Sequence, residues 1–138
     1  MEVVYKDFNI LSENQVKYLY EKAGWTTYTK NIKKLLSGIQ NSSFVCSAWV
    51  NNQMVGLIRV LSDDYTICYI QDLLVMDTHQ KQGIGKTLVE IAIKKYANVR
   101  QIILTTDETG PCEFYEKIGF KPVKNYGCNT YMIIQNDQ

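Results

Sequence analysis

The chain has 138 residues, of which 46% are hydrophobic and 21% charged, and its formal net charge is +1. That length fits one ordinary domain spanning residues 1–138, and that apolar fraction supplies a core, which excludes a disordered tail. The near-balance of charge gives no bulk attraction to nucleic acid or to a membrane surface, and neither is expected as a partner.

The start, Met1-Glu2-Val3-Val4-Tyr5-Lys6, lacks a basic stretch followed by a long apolar run, so no secretory signal is expected. No apolar run approaches the ~18 residues that a membrane span needs. The expectation is a soluble, cytoplasmic protein. Cys46, Cys68, Cys112 and Cys128 are scattered without a C-x-x-C pair, and His79 is the only histidine. Such spacing supports neither a zinc site nor a disulfide framework, so free thiols and no metal are expected.

Val3 to Phe8 reads as a short strand. Ser12 is placed to cap a helix, with Gln15 as its capping-box partner and Val16, Leu19, Tyr20 and Ala23 at helical spacing. Thr29 is placed to cap a second helix through Ile32, Leu35, Leu36 and Ile39. Ser43 to Val50 and Met54 to Ser62 read as a hairpin across Asn51-Asn52. After Asp63-Asp64, Thr66 to Met76 is a nearly continuous apolar strand, as expected of one covered on both faces. Ile84, Leu88, Ile91, Ala92 and Tyr96 mark an amphipathic helix. Gln101 to Thr106 reads as a strand, Cys112 to Ile118 as a helix ended by Gly119, and Phe120 to Ile134 as two strands around Asn125 to Gly127. Early hairpins followed by strand–helix–strand–helix give an α/β (α+β) fold, with a sheet part antiparallel and part parallel.

The segment Gln80-Lys81-Gln82-Gly83-Ile84-Gly85-Lys86 joins the apolar strand to the amphipathic helix. Its glycines let a ligand approach the backbone, and the first helical N–H groups lack intrahelical partners at the positive end of the dipole. That is a site for an anion such as a phosphate or pyrophosphate, with Lys81 and Lys86 adding charge. A Walker A loop would need a first glycine at Gln80. A G-x-G-x-x-G fingerprint would need its third glycine at Leu88.

Gln80, Gly83 and Gly85 match [QR]-x-x-G-x-[GA] in full, and the segment resembles the acyl-CoA pyrophosphate loop of the GNAT superfamily of N-acyltransferases. Leu73-Leu74-Val75 looks like the family strand that runs into this loop, whose backbone bonds the pantetheine arm as an added strand would. Phe114-Tyr115-Glu116-Lys117-Ile118-Gly119-Phe120 is similar to the family's F-Y-x-x-x-G-F segment. The resemblance implies a mixed, mostly antiparallel sheet of about six to seven strands flanked by about four helices. It also implies acetyl-CoA as donor, held by Leu74 and Val75 and by Gln80, Lys81, Gln82, Gly83, Ile84, Gly85 and Lys86. One departure stands out. Many relatives carry an asparagine shortly before the F-Y pair, where this chain reads Asp107-Glu108-Thr109-Gly110-Pro111.

Amine acetylation needs a neutral amine, a polarised thioester and a proton for the departing thiolate. The resemblance implies that Tyr115 is the acid, against the plainer reading of a tyrosine packing its ring. Asp72 interrupts an apolar strand, and a buried lone carboxylate is kept for pairing or for chemistry, so it is the candidate base or a structural anchor. Gln71 stands where many relatives carry a first carboxylate. It cannot act as a base, and it is assigned with Trp25 and Tyr28 to the acceptor site, where the two rings either wall an amine or anchor the two helices. Cys112, at a helix start, is the rival nucleophile, but no histidine neighbours it in sequence. The expected reaction is direct transfer in a ternary complex to a small-molecule or peptide amine. The alternative is a non-catalytic acyl-CoA-binding sensor, and a homodimer is compatible with either.

Overall fold

The computed structural model describes residues 2–136. They form two compact units, one running through Leu104 and the other starting at Thr105.

The first unit comprises β1 (Val4–Lys6), α1 (Glu13–Lys22), the single turn α2 (Thr26–Thr29), α3 (Ile32–Gln40), β2 (Phe44–Val50), β3 (Gln53–Ser62), β4 (Ile67–Val75), α4 (Ile84–Lys95) and β5 (Gln101–Leu104). The sheet runs β1-β2-β3-β4-β5. Its ladders are antiparallel except β4–β5, which is parallel and needs α4 as its crossover.

Local chemistry sets these elements. Asn51 and Asn52 both take positive φ, 50° and 64°, as a two-residue hairpin turn with the twist of its strands requires. The Asp63 carboxylate accepts from the Thr66 hydroxyl and from the N–H groups of Thr66, Tyr65 and Ile67. These bonds hold its carboxyl well below the usual range and fix the β3–β4 turn. Ser12 Oγ accepts from the Gln15 N–H at 3.2 Å, as expected of a cap. The Gln15 side chain does not close a capping box. It donates to the Asn52 carbonyl and accepts from the Met54 N–H, tying α1 to the hairpin turn. Thr29 lies inside α2, and α3 is capped by Asn31, whose Oδ1 accepts from the Lys34 N–H at 3.2 Å. The aspect of sequence that hid this is the extra helical turn between the two helices.

Helices cover both faces of the sheet. A Cβ on Gly56 would sit 3.2 Å from Ile84 and 3.3 Å from Leu88, so α4 lies close on β3 there. Arg59, three residues along the same strand, points the other way, toward α1 and α3. A Cβ on Gly38 of α3 would meet its guanidinium at 3.1 Å. Val16, Leu19 and Tyr20 of α1 and Leu35 and Ile39 of α3 are buried on this side.

The second unit holds α5 (Cys112–Ile118), ended by Gly119 at φ 126°, and a 3-10 turn at Val123–Tyr126, ended by Gly127 at φ 75°. The two strands expected between Phe120 and Ile134 are absent among the described residues, so the sheet has five strands rather than six to seven. Pro122 leads into the 3-10 turn, and the apolar run after Gly127 has no ladder partner, without which no strand is defined.

Candidate active site

Beyond Val75 the chain makes a 3-10 turn at Asp77–His79, and Gln80 Nε2 donates back to the Val75 carbonyl at 3.1 Å. Lys81 (φ 63°) and Gly83 (φ 85°) then take left-handed conformations that swing the chain into α4. No side chain caps this helix, and its first intrahelical bond is Thr87 N–H to the Gly83 carbonyl at 3.0 Å. The N–H groups of Ile84, Gly85 and Lys86 therefore lack helical partners at the positive end of the dipole. A Cβ at Gly83 would meet nothing within 4 Å, so this glycine is required by its φ and leaves open space over the turn. Lys81, Gln82 and Lys86 are exposed, whereas the Ile84 side chain is buried, leaving only its backbone for a ligand.

The β4–β5 ladder ends at Ile70 with Leu104, so Gln71 to Val75 lie beyond it along that edge of β4. On the opposite edge the register jumps from Arg59–Asp72 to Val60–Ile70, leaving Gln71 as the extra residue of a bulge. Leu74 is only 4% exposed, so it too could meet a ligand only through its backbone.

Asp72 is 0% exposed. Its Oδ2 accepts from Arg59 Nε at 2.8 Å and from the Tyr20 hydroxyl at 2.7 Å, while Oδ1 has no hydrogen-bond partner. Burial and then the Asp72 charge raise the Tyr20 phenol well above its ordinary 10.0. Burial opposes the charge on Arg59, but the carboxylate outweighs it and raises that pKa. The Tyr20 ring meets Trp25 and Tyr28 edge-on, each at 6.1 Å between centroids, and those two rings stack. Gln71 Nε2 donates to the Tyr28 hydroxyl at 3.0 Å. Trp25, Tyr28 and Gln71 are thus brought into one half-buried cluster around the buried pair. Tyr20 and Arg59 escaped the sequence reading. Arg59 carried a signal, being the lone charge in the apolar run of β3 as Asp72 is in that of β4.

In the second unit, Tyr115 lies on α5 with its ring edge-on to Phe114 and Phe120, at 5.0 and 5.8 Å. Burial pushes its phenol up to about 12. The divergent segment before α5 is a tight turn. Gly110 N–H bonds the Asp107 carbonyl at 2.8 Å, and a Cβ on Gly110 would fall 2.6 Å from Thr106 Oγ1. Cys112 is exposed, and His79 Nδ1 pairs with the Thr78 hydroxyl at 2.8 Å. Among the described residues no group of three or more His, Cys, Asp or Glu is placed to hold a metal, and no helix is long and apolar enough to cross a membrane.

A mostly antiparallel sheet with a helix entrance opening beyond the end of β4 is the architecture of the GNAT fold. The family profile described as acetyltransferase (GNAT) domain matches residues 26–135, and the chain belongs to this family. It is 29% identical over 131 residues to an uncharacterized N-acetyltransferase of Pyropia yezoensis, covering 86% of this chain and 73% of that one. The chain spans less than two thirds of the length of several other curated relatives. Among solved structures, a GNAT-family acetyltransferase of Streptococcus pneumoniae superposes with a TM-score of 0.85 at 30% identity, over 97% of this chain and 98% of that one. PaiA N-acetyltransferase of Thermoplasma acidophilum, in complex with coenzyme A, superposes with a TM-score of 0.71 at 19% identity, over 88% and 91% of the chains.

Proposed function

We propose that this chain transfers an acetyl group from acetyl-CoA to a primary amine by direct attack. The observation that carries the reading is the uncapped, glycine-opened start of α4, which follows directly on the β4 edge that β5 leaves uncovered. Pyrophosphate oxygens fit the N–H groups of Ile84, Gly85 and Lys86, with Lys81 and Lys86 supplying charge. An amide-bearing pantetheine arm fits the backbone of Leu74 and Val75 as an added strand. The coenzyme A complex of the Thermoplasma relative supports this class of donor.

In this reading the amine nitrogen attacks the thioester carbonyl carbon, the C–S bond breaks, and sulfur leaves with the bonding pair. Tyr115, whose raised pKa keeps its proton, gives that proton to sulfur, and the proton that the nitrogen releases to water restores the phenol. Trp25 and Tyr28 offer aromatic faces to the acceptor, and Gln71 fixes Tyr28. We assign Asp72 a positioning role. Its Oδ2 is engaged by two donors and the carboxylate is enclosed, so it holds α1 and β3 under the acceptor cluster rather than touching the amine.

Thermal unfolding with added nucleotide tests the donor. Acetyl-CoA at ~100 times its dissociation constant is expected to stabilise the fold by about 2.7 kcal/mol. A rise with ATP or NAD and none with acetyl-CoA would assign the loop to another nucleotide.

A further inference from the structure

Arg59 is only 8% exposed, yet its ion pair engages one side of the guanidinium alone. Nε donates to Asp72 Oδ2 at 2.8 Å, and among the described residues neither Nη1 nor Nη2 has a hydrogen-bond partner. These two nitrogens are not sealed off as Asp72 Oδ1 is, so a ligand can reach them. A nearly buried guanidinium that leaves a whole edge of its N–H fork unused calls for an explanation, because unpaired buried donors are costly.

The helix above that edge is shaped around it. Gly38 stands in the interior of α3, where only proline is a poorer helix former. A Cβ there would lie 3.1 Å from Nη1 and 4.0 Å from Cζ, so any other residue would crowd an oxygen accepting from Nη1. The surroundings are those of the acceptor cluster. Gln71, next to Asp72 in the chain, holds the Tyr28 hydroxyl. Burial and then the Asp72 charge raise the Tyr28 phenol, and the Arg59 charge opposes them, which puts the guanidinium within electrostatic reach of that ring. All of these residues belong to the first unit, so the arrangement is internal to it.

We propose that the Nη edge of Arg59 reads a carboxylate on the acceptor, and that the amine acetylated by this chain belongs to an amino acid. For the reaction this rests on the acetyl-transfer reading; for binding it does not. A planar carboxylate matches two parallel N–H bonds from Nη1 and Nη2. Charge favours the same class of acceptor. Arg59 and Asp72 cancel, so a zwitterionic amino acid enters without adding net charge, whereas a diamine brings positive charge against an unshielded guanidinium edge.

The test compares amino acids with the amines left by their decarboxylation: phenylalanine with phenethylamine, lysine with cadaverine, ornithine with putrescine. For the pair that carries the natural side chain, kcat/KM of the wild type is expected to favour the amino acid by more than about tenfold. Gly38→Ala leaves the Nε–Oδ2 bond in place and crowds Nη1. It is expected to raise KM for the amino acid several-fold and to leave both constants for the amine unchanged, which a merely structural role would not do. Arg59→Met with Asp72→Leu is expected to abolish the preference, and if that variant fails to fold, Gly38→Ala decides alone. Equal kcat/KM within every pair overturns the proposal and leaves acetyl transfer standing. A preference that survives in the folded double variant overturns it as well. If no amine is acetylated at all, the transfer reading falls and calorimetric titration of the same pairs decides. Binding of an amino acid more than about tenfold tighter than its amine, weakened in Gly38→Ala, supports the carboxylate site. Binding of no amino acid in preference to its amine overturns it.

Discussion

A carboxylate out of contact with water survives only when its charge is matched, and Asp72 is matched by Arg59 and Tyr20. Removing either member of the ion pair strands the other, so Asp72→Asn or Arg59→Met is expected to lower stability by about 3–5 kcal/mol in denaturant titration. Replacing both together, by leucine and methionine, is expected to recover most of that loss. A positioning role also fixes the pH behaviour. The acid limb of kcat/KM should follow the titration of whichever acceptor amine is used, and Asp72→Asn should leave its midpoint in place. A limb that vanishes in this variant would make Asp72 the base. Tyr115→Phe keeps the ring and removes the proton donor, so kcat is expected to fall roughly 10²–10⁴-fold with acetyl-CoA affinity unchanged. Because this phenol is raised to about 12, it remains a donor past the ordinary 10.0, and it imposes no alkaline loss of rate below about pH 10. The anomaly of Asp72 was legible because one charge stood in an apolar strand. Arg59 stands out in β3 on the same ground, but its pairing with Asp72 was not legible, because that register depends on a bulge at Gln71 that composition does not encode.

At the scale of elements, α4 is the part that the sequence disclosed best. Its glycine spacing, its entry point and its apolar stripe all constrain the same few residues. What the pattern hid is how the helix is seated, since Gly56 lies far away in sequence and gives way under Ile84 and Leu88. Gly56→Ala is expected to cost about 1–3 kcal/mol in thermal unfolding and to weaken acetyl-CoA binding measured by calorimetry, because it pushes on the first turn. Gly83→Val places a β-branched residue at φ 85°, a strain on the order of 1–2 kcal/mol, and fills the open space over the turn. The variant is expected to fold with a lowered Tm and to lose its thermal response to acetyl-CoA. The second helix was misjudged for a related reason. Thr29 and Asn31 are both good caps, and only the helical turn between Trp25 and Lys30 decides in favour of Asn31.

Across the whole molecule, buried acids set the alkaline limit. Burial pushes the Cys46 and Cys68 thiols up to about 11, and the Tyr96 and Tyr115 phenols each up to about 12. In the unfolded chain the thiols titrate near 9.0 and the phenols near 10.0. Each raised pKa therefore contributes stability that is full below the unfolded value and lost as pH climbs toward the folded one. Denaturant midpoints are expected to hold steady up to about pH 9 and to fall between there and pH 12. The mixture of antiparallel hairpins and a parallel crossover was legible because hairpin turns join β2, β3 and β4 and a single helix joins β4 to β5. The segment after Gly127 was read as strand from its residues alone, and what decides its state is a partner edge, which residue type cannot report. The most direct test of acetyl transfer is thiol release from acetyl-CoA across a panel of primary amines. The structure predicts release that requires both acetyl-CoA and an amine, yields acetylated product by mass, and fails in Gly83→Val. Acetyl-CoA binding with no amine-dependent thiol release across the panel would contradict it and leave a donor-binding module instead.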